Sequence, residues 1–488
     1  MSTKKIKKEK IEKTGEDQNK RMRLNMKIMI FTVVAAFLYM MGYFSYTIMS
    51  NSSKWLSSVY NNKIAVAKNS ITPGDILDRN GTVLATTKNG DRVYSGNLET
   101  RLANSHTVGD GSGAVASGAE TLFSMELLGL DDNNSISIIT QIRANENKRG
   151  NDVALTIDSK LNQYIYDAMG NNKGAVVLMN YKTGEVYSLV SKPGFDGNDI
   201  AQYLTDDTDP GNSELVNRAT LGRYPPGSIF KIITTSAALR YLADAETKTF
   251  NCTGSVIIGG VKVSDYDGEK HGTIALAEAL THSCNSFFGL ISQDIGSSNM
   301  LATAERFKFN TSFDFSDFVM AKSSYVQSDQ AGDLAWSAIG QYKDTVSPLH
   351  MAMIVSAVAN DGVMMEPKLF LKSTDASGQV QKSMKSNTYA TIMERQEAFK
   401  LKTMMYDVVT AGTGKAAAIS GYKIGGKTGT AEVTSNSTTK AHAWFVAFIG
   451  DTNHPLAIAV ILENAGTGGS KSAPIAKKAF QKALDLGY

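Results

Sequence analysis

The chain has 488 residues, 42% hydrophobic and 20% charged, with a formal net charge of +3. This is an ordinary globular composition with room for two to three folded units. The charge is uneven: residues 1–27 carry ten Lys or Arg against four Asp or Glu, a net of +6. About −3 is left for the rest, which argues against nucleic acid as a partner of the main body.

Residues 1–27 are charged and poor in large apolar groups, so a disordered cytoplasmic basic tail is expected. From Ile28 to Met49 the stretch IMIFTVVAAFLYMMGYFSYTIM holds no charge and is long enough to cross a bilayer as one helix. The basic flank of Lys20, Arg21, Arg23 and Lys27 should stay inside, which places the remainder outside. No small-x-small cleavage site follows, so the segment reads as an uncleaved anchor.

Residues 50–150 form a membrane-proximal region. Within it Asn80-Gly81 separates two strand-like runs, a hairpin signal. Gly109-Asp110-Gly111-Ser112-Gly113 resembles a phosphate loop only superficially. No strand precedes it and no Gly-Lys-Ser/Thr follows, so it reads as a loop.

Residues 151–488 make the main domain. A strand is expected at Val153–Ile157, a helix at Leu161–Met169, and a hairpin from residues 174–179 and 185–190 around Tyr181-Lys182-Thr183-Gly184. A helix-rich middle runs from Ser228 to about Asn360. Strands return at 422–430, 442–450 and 456–462, and a closing helix is expected over Pro474–Leu486. Strands at both ends with helices between predict an α+β fold, its antiparallel sheet drawing on distant parts of the chain.

Three short motifs carry the chemistry: Ser228-Ile229-Phe230-Lys231, Ser283-Cys284-Asn285 and Lys427-Thr428-Gly429-Thr430. Serine enzymes that are acylated by penicillin carry this trio in this order. Ser-x-x-Lys also occurs at Ser2, Ser420 and Ser437, but Ser2 sits in the basic tail and Ser437 in the polar stretch 434–439. Ser228 alone follows Tyr224-Pro225-Pro226-Gly227 and opens an apolar run, the pattern of a buried helix beginning at the serine. Residues three apart share a helix face, so Ser228 and Lys231 can point into one cleft.

A serine hydroxyl needs a base, and a neutral lysine can serve. Burial and a second cation, Lys427, would lower the pKa of Lys231. Ser283 could relay the proton, and Asn285 could hold substrate and orient Lys231. Thr428 and Thr430, with Lys427, suit a terminal carboxylate. Gly429 would let a substrate backbone lie close, and the N–H groups of Ser228 and Thr430 would form an oxyanion hole. Glu432 reads as a solvated strand-end carboxylate.

Cys252 and Cys284 could pair or stand as two thiols, since sequence cannot place them within bonding distance. Six histidines show no ligand spacing and no cysteine cluster is visible, so neither a metal site nor a cofactor is expected.

From the anchor to its last residues the chain resembles class B penicillin-binding proteins. The resemblance rests on the trio and on Asp78-Arg79-Asn80-Gly81, Asn217-Arg218-Ala219, Pro225-Pro226-Gly227-Ser228, His271-Gly272, Gly340-Gln341, Ala359-Asn360-Asp361-Gly362, Gly412-Thr413, Lys427-Thr428-Gly429-Thr430-Ala431-Glu432 and Ala443-Trp444-Phe445. It implies the penicillin-binding transpeptidase fold shared with serine β-lactamases, an antiparallel sheet faced by helices plus a helical subdomain. A β-rich pedestal would stand before it. It implies a peptidoglycan D,D-transpeptidase that cross-links stem peptides through a Ser228 acyl-enzyme and is trapped by β-lactams. It also implies a polytopic glycan polymerase of the RodA/FtsW type as partner. Two departures stand out: Pro73-Gly74 replaces the usual Arg-Gly, and Tyr342 follows Gln341 where glycine is common. A β-lactamase, a penicillin-sensing receptor and a D,D-carboxypeptidase share the trio and are the rival readings.

Overall fold

The computed structural model describes residues 2–57, 70–130, 148–204, 213–432 and 440–488. The polar stretch 434–439 lies outside them. The chain opens on one continuous helix, α1 (Ser2–Ser57). This corrects the expectation of a disordered tail. The tail is rich in Lys, Glu and Met, good helix formers, and holds no proline, so the helix of the apolar segment propagates back through it. Within Asp17–Thr47 an 18-residue window has a mean hydropathy of 1.9 and none of it is buried, so the helix is long and apolar enough to span a membrane.

A small sheet begins with β1 (Ile76–Leu77), β2 (Val83–Lys88) and β3 (Asp91–Tyr94), followed by helix α2 (Leu98–Val108). The Asn80-Gly81 turn joins β1 to β2 antiparallel. Next come β4 (Asp152–Leu155), α3 (Ser159–Ala168) and the hairpin β5 (Gly174–Asn180) with β6 (Val186–Lys192). The middle holds a one-turn 3₁₀ helix (Gly227–Phe230) running into α4 (Lys231–Tyr241). Four short strands follow, β7 (Thr249–Cys252), β8 (Ser255–Ile258), β9 (Val261–Ser264) and β10 (Gly272–Ala275), then α5 (Leu276–His282) and α6 (Asn285–Ile295).

Helix α7 (Pro348–Ala359) precedes β11 (Val363–Met365), β12 (Phe370–Thr374), β13 (Val380–Ser383) and β14 (Thr388–Thr391). Helix α8 (Arg395–Thr410), strands β15 (Ile424–Ala431), β16 (His442–Ile449) and β17 (Leu456–Leu462), and helix α9 (Gly468–Asp485) complete the chain. Helix α9 begins six residues before the expected Pro474. That proline removes one helical hydrogen bond, and burial of Ala473, Ile475, Ala476, Ala479 and Phe480 holds the helix across it.

The main sheet has the order β15-β16-β17-β5-β6, antiparallel throughout. Its central strands are unbroken apolar runs because both faces are covered. Along β16 the side chains alternate with period two. Trp444, Val446 and Phe448 enter one core, shared with α7, while Phe445, Ala447 and Ile449 enter the other, shared with α9. Burying each large side chain contributes about 1.5–3 kcal/mol. Strand β15 is an edge of this sheet, and that edge bounds the cleft described below.

The second sheet has the order β13-β12-β4-β1-β2-β3. It draws strands from both sides of residue 150, with β4 pairing parallel to β1 and antiparallel to β12. The Asp78-Arg79-Asn80-Gly81 segment ties it to the rest. Asp78 is buried and accepts from the backbone N–H of Asn80 and Thr82 and from the Ser159 hydroxyl at 2.6 Å.

Candidate active site

Ser228 sits in the 3₁₀ turn ahead of α4, one turn before Lys231. Gly227 before it has φ +55, and a Cβ there would lie 2.6 Å from the Thr430 carbonyl oxygen. Only glycine fits both the left-handed backbone and the close approach to β15. The turn is fixed from three sides: Gly227 N–H donates to Gly340 O at 2.7 Å, Trp444 Nε1 to Pro225 O at 3.0 Å, and Tyr224 N–H to Val346 O at 3.0 Å.

Ser283 caps α5 in the left-handed region, φ 59 and ψ 38. Cys284 returns the chain to extended geometry, and α6 starts at Asn285. This kink turns both Ser283 and Asn285 toward Lys231. The Lys231 ammonium donates to Ser283 O and Asn285 Oδ1, each at 2.6 Å, and to Ser283 Oγ at 3.2 Å. Asn285 Nδ2 donates to Ser264 O at 2.8 Å, which fixes the amide orientation. From the strand side, Lys427 Nζ donates to Ser283 Oγ at 2.8 Å and to Thr428 O at 3.0 Å. Two lysine amines thus converge on one serine hydroxyl. Among the described residues the Ser228 hydroxyl has no hydrogen-bond partner of its own; contacts of this kind often close only once substrate is bound.

Both lysines are fully buried. Burial lowers the pKa of Lys231 from 10.5 to about 7, against the pull of Cys284 and Asp265. Burial, and then the charge of Lys231, pushes Lys427 well below its usual value. From sequence, Lys427 was expected to act as the second cation on Lys231. In the fold that repulsion bears on Lys427, while burial governs Lys231.

A cleft of about 680 Å³ opens over these groups. Ser228, Ser283, Asn285, Thr428 and Thr430 line it; Lys231 and Lys427 lie beneath its floor. Gly429 does not line it. A Cβ there would meet Trp444 Cβ at 2.9 Å, Ile229 Cγ2 at 3.0 Å and Pro226 O at 3.1 Å. The bare glycine lets β15 seat directly on the nucleophile turn. Glu432 is exposed at the rim, as a strand-end carboxylate should be.

Two residues of the site escaped sequence reasoning. Thr413 shares a 2.7 Å hydrogen bond with the Thr428 hydroxyl and lines the cleft. Its only sequence signal is the Gly412-Thr413 pair. Asp265 is buried and accepts from the backbone N–H of Asn285 and the Ser286 hydroxyl. Burial alone would raise its pKa, but bonds from Ser286, Cys252 and Asn285 outweigh that and hold it low. Nothing in the sequence marks it.

The cysteines are two free thiols, both buried. Linear spacing predicted no metal site; the fold nevertheless gathers one group of donor side chains. Donor atoms of Cys252, Asp265, His271 and Cys284 all lie within 4.8 Å of one another. They come from separate segments, so linear spacing could not reveal them.

A buried lysine one helical turn past a half-buried serine that lines the cleft, a second serine between two amines, and a threonine-lined edge strand define a serine acyltransferase site. Residues 174–481 match the family model described as the penicillin binding protein transpeptidase domain. The chain is 32% identical over 374 residues to the peptidoglycan D,D-transpeptidase PbpA of Mycolicibacterium smegmatis, covering 70% of this chain and 74% of the relative. It is 30% identical to the peptidoglycan D,D-transpeptidase MrdA of Haemophilus influenzae, over 72% of this chain and 59% of the relative. Among solved structures, the ceftriaxone acyl-enzyme of penicillin-binding protein A from M. tuberculosis superposes with a TM-score of 0.76 at 28% identity, covering 86% of this chain and 99% of that one. The penicillin G acyl-enzyme of the same protein gives 0.75 at 29%, covering 85% and 100%. This chain belongs to the penicillin-binding protein transpeptidases, as a class B member.

Proposed function

We propose that the chain is a membrane-anchored peptidoglycan D,D-transpeptidase with Ser228 as nucleophile. The observation that carries this reading is the convergence of the Lys231 and Lys427 amines on the Ser283 hydroxyl beneath Ser228.

Ser228 Oγ attacks the carbonyl carbon of the penultimate D-Ala of a stem peptide and passes its proton to neutral Lys231. The backbone N–H groups of Ser228 and Thr430 hold the oxyanion, each contributing about 2.7–4 kcal/mol by analogy with other acyl-transfer enzymes. The proton crosses Ser283 to the leaving nitrogen, and D-Ala departs. An amine from a neighbouring stem then attacks the ester, and the proton path runs backward. Asn285 holds Lys231 in register. Lys427 is committed to Ser283 and Thr428 and keeps the relay serine oriented, while the Thr428 and Thr430 hydroxyls receive the terminal carboxylate. A β-lactam acylates Ser228 and lacks the departing fragment that would clear the site.

In this reading residues 1–27 lie in the cytoplasm, 28–49 span the membrane, 50–150 form a pedestal and 151–488 carry catalysis outside. The basic flank supports that orientation. Anchor and pedestal are the surfaces a polytopic glycan polymerase would contact.

The test is intact mass of the protein with benzylpenicillin. A stable adduct of one drug per chain is expected, absent in Ser228→Ala. Rapid drug hydrolysis without an adduct would point to a β-lactamase instead.

A further inference from the structure

We propose that Asp344 is a positioning residue for acylation: its buried carboxylate locks the segment 339–346 behind the nucleophile turn and so sets how Ser228 is presented. This rests on the acyl-transfer reading with Ser228 as nucleophile, and it adds a residue that stands outside the cleft lining.

The segment 339–346 backs the nucleophile turn at both ends. It follows the helix Ala331–Ala338 and leads into α7. At its start Ile339 and Gln341 line the cleft. Gly340 O accepts the Gly227 N–H at 2.7 Å, and the packing is so close that a Cβ on Gly340 would lie 2.0 Å from Gly227 O. At its end Val346 exchanges both backbone bonds with Tyr224, at 2.9 and 3.0 Å. Any shift of the segment therefore reaches Tyr224 and Gly227, which flank Pro225-Pro226, and with them Ser228.

Asp344 fastens the middle of the segment and is only 1% exposed. Its Oδ2 accepts the Ser337 hydroxyl at 2.5 Å and its Oδ1 the Val326 N–H at 3.1 Å. One carboxyl thus ties the segment to the preceding helix and to the stretch 323–326. That stretch supports the nucleophile from a second side. Tyr325 stacks on Phe230, with ring centroids 5.7 Å apart and 5° from parallel, and Phe230 lies between Ser228 and Lys231 in the chain.

Asp344 receives both bonds, and the shorter has the length of a charge-assisted O–H···O⁻ contact, so the arrangement suits the carboxylate. Protonation turns one oxygen into a donor and forces the Ser337 hydroxyl to reorient. Burial favours that protonation. It raises the Asp344 pKa from 3.8 to about 7, against the bonds from Ser337 and Val326, and no cation stands among the groups that act on it. Lys343 holds its ammonium over the Tyr342 ring at 5.0 Å. On the preceding helix Asp333 is engaged with the Ser328 hydroxyl. On α7, His350 is occupied by Ser323 and by Phe307 O. The Tyr325 phenol is pushed up by burial and then by the Asp344 charge. Lys231 is governed by burial, with Cys284 and Asp265 as the charges acting on it. A proton on Asp344 therefore acts on Ser228 through the backbone and not through its field on the base.

The experiment measures the acylation rate of the full chain in detergent at saturating benzylpenicillin, by quenched intact mass, from pH 5.5 to 8.5. Asp344→Asn keeps the shape and cannot ionise. Its rate should lie within twofold of the unaltered chain at pH 5.5 and about tenfold below it at pH 8.5. The acid limb of the unaltered chain should be steeper than one proton, because Lys231 and Asp344 ionise over the same range, and Asp344→Asn should reduce it to a one-proton slope. Ser337→Ala removes a bond that favours ionisation, so it should move the second ionisation to higher pH; it also carries the test if Asp344→Asn does not fold. A merely structural role would lower the rate by one constant factor at every pH. That outcome, or equal rates throughout, would overturn the proposal. No adduct in the unaltered chain would sink the acyl-transfer reading itself, and the proposal with it.

Discussion

Lys231 is where stability and activity pull apart. A lysine without a carboxylate partner, fully enclosed, is an expensive residue: its pKa falls from 10.5 to about 7 because burial penalises the charged form. The unfolded chain therefore binds more protons than the folded one between pH 7 and 10.5, so Lys231 makes stability rise with pH across that window. Below pH 7 its full penalty, on the order of a few kcal/mol, is present. Lys231→Met should raise the denaturation midpoint at pH 6 while abolishing penicillin acylation; a lower midpoint would mean the ammonium is a net stabiliser. The acylation rate of the unaltered chain should rise with pH to a plateau, with its midpoint near 7. A rate flat from pH 5 to 9 would remove Lys231 as the base. Tyr342 is a second costly residue, held at φ 69 in the left-handed region. Tyr342→Gly should stabilise the chain by about 1 kcal/mol in urea denaturation, and an unchanged midpoint would show that the ring's contacts offset the strain.

At the scale of elements, the cleft works because separate segments are pinned to one another. Thr413 is the clearest case. Its hydroxyl bonds Thr428 on β15, its N–H donates to Thr281 on α5 at 3.3 Å, and a Cβ on Gly469 of α9 would meet its carbonyl at 2.7 Å. Thr413→Val keeps the shape and removes one hydrogen bond, about 1 kcal/mol. Penicillin acylation efficiency should fall roughly fivefold and recover in Thr413→Ser; an unchanged rate would free Thr428 from this support. Ser228, Lys231, Ser283, Asn285 and Lys427 were legible in the sequence because each motif lies within four residues, and local spacing on a helix or strand fixes local geometry. Strands β5, β6, β16 and β17 were legible because runs buried on both faces are continuous. Thr413, Asp265 and the thiol cluster were not, since they meet only when loops from distant positions close. The contact of Gly429 with the 3₁₀ turn was not legible either, since facing depends on which side of β15 packs there.

Over the whole molecule, Arg79 joins the small sheet to the catalytic body. Its guanidinium lies over the rings of Tyr187 at 4.3 Å and Tyr488 at 5.0 Å, donates to Thr156 O at 2.9 Å and reaches Glu185 at 3.4 Å. A stacked cation of this kind is worth about 0.5–2 kcal/mol, and a hydrogen bond about 1 kcal/mol more. Strands β1–β3 also meet the catalytic body through the pairing of β1 with β4, the Asp78–Ser159 and Asn80–Asp158 hydrogen bonds and the Tyr94–Asn198 pair. Arg79→Ala should loosen β1–β3 first and leave the cleft, which uses none of these atoms, intact. Of the three tryptophans, Trp336 lines the cleft and Trp444 lies in the catalytic core, so fluorescence follows that part, whereas circular dichroism follows the whole chain. In denaturant the two curves of Arg79→Ala should separate, with the dichroism change beginning earlier. Penicillin acylation should stay within about twofold of the unaltered chain, since the freed interface energy of roughly 2 kcal/mol is spent outside the cleft. Coincident curves would mean that β4 and β12 bind the small sheet to the catalytic body as one cooperative unit, and a large loss of acylation would mean that the pedestal positions the cleft directly.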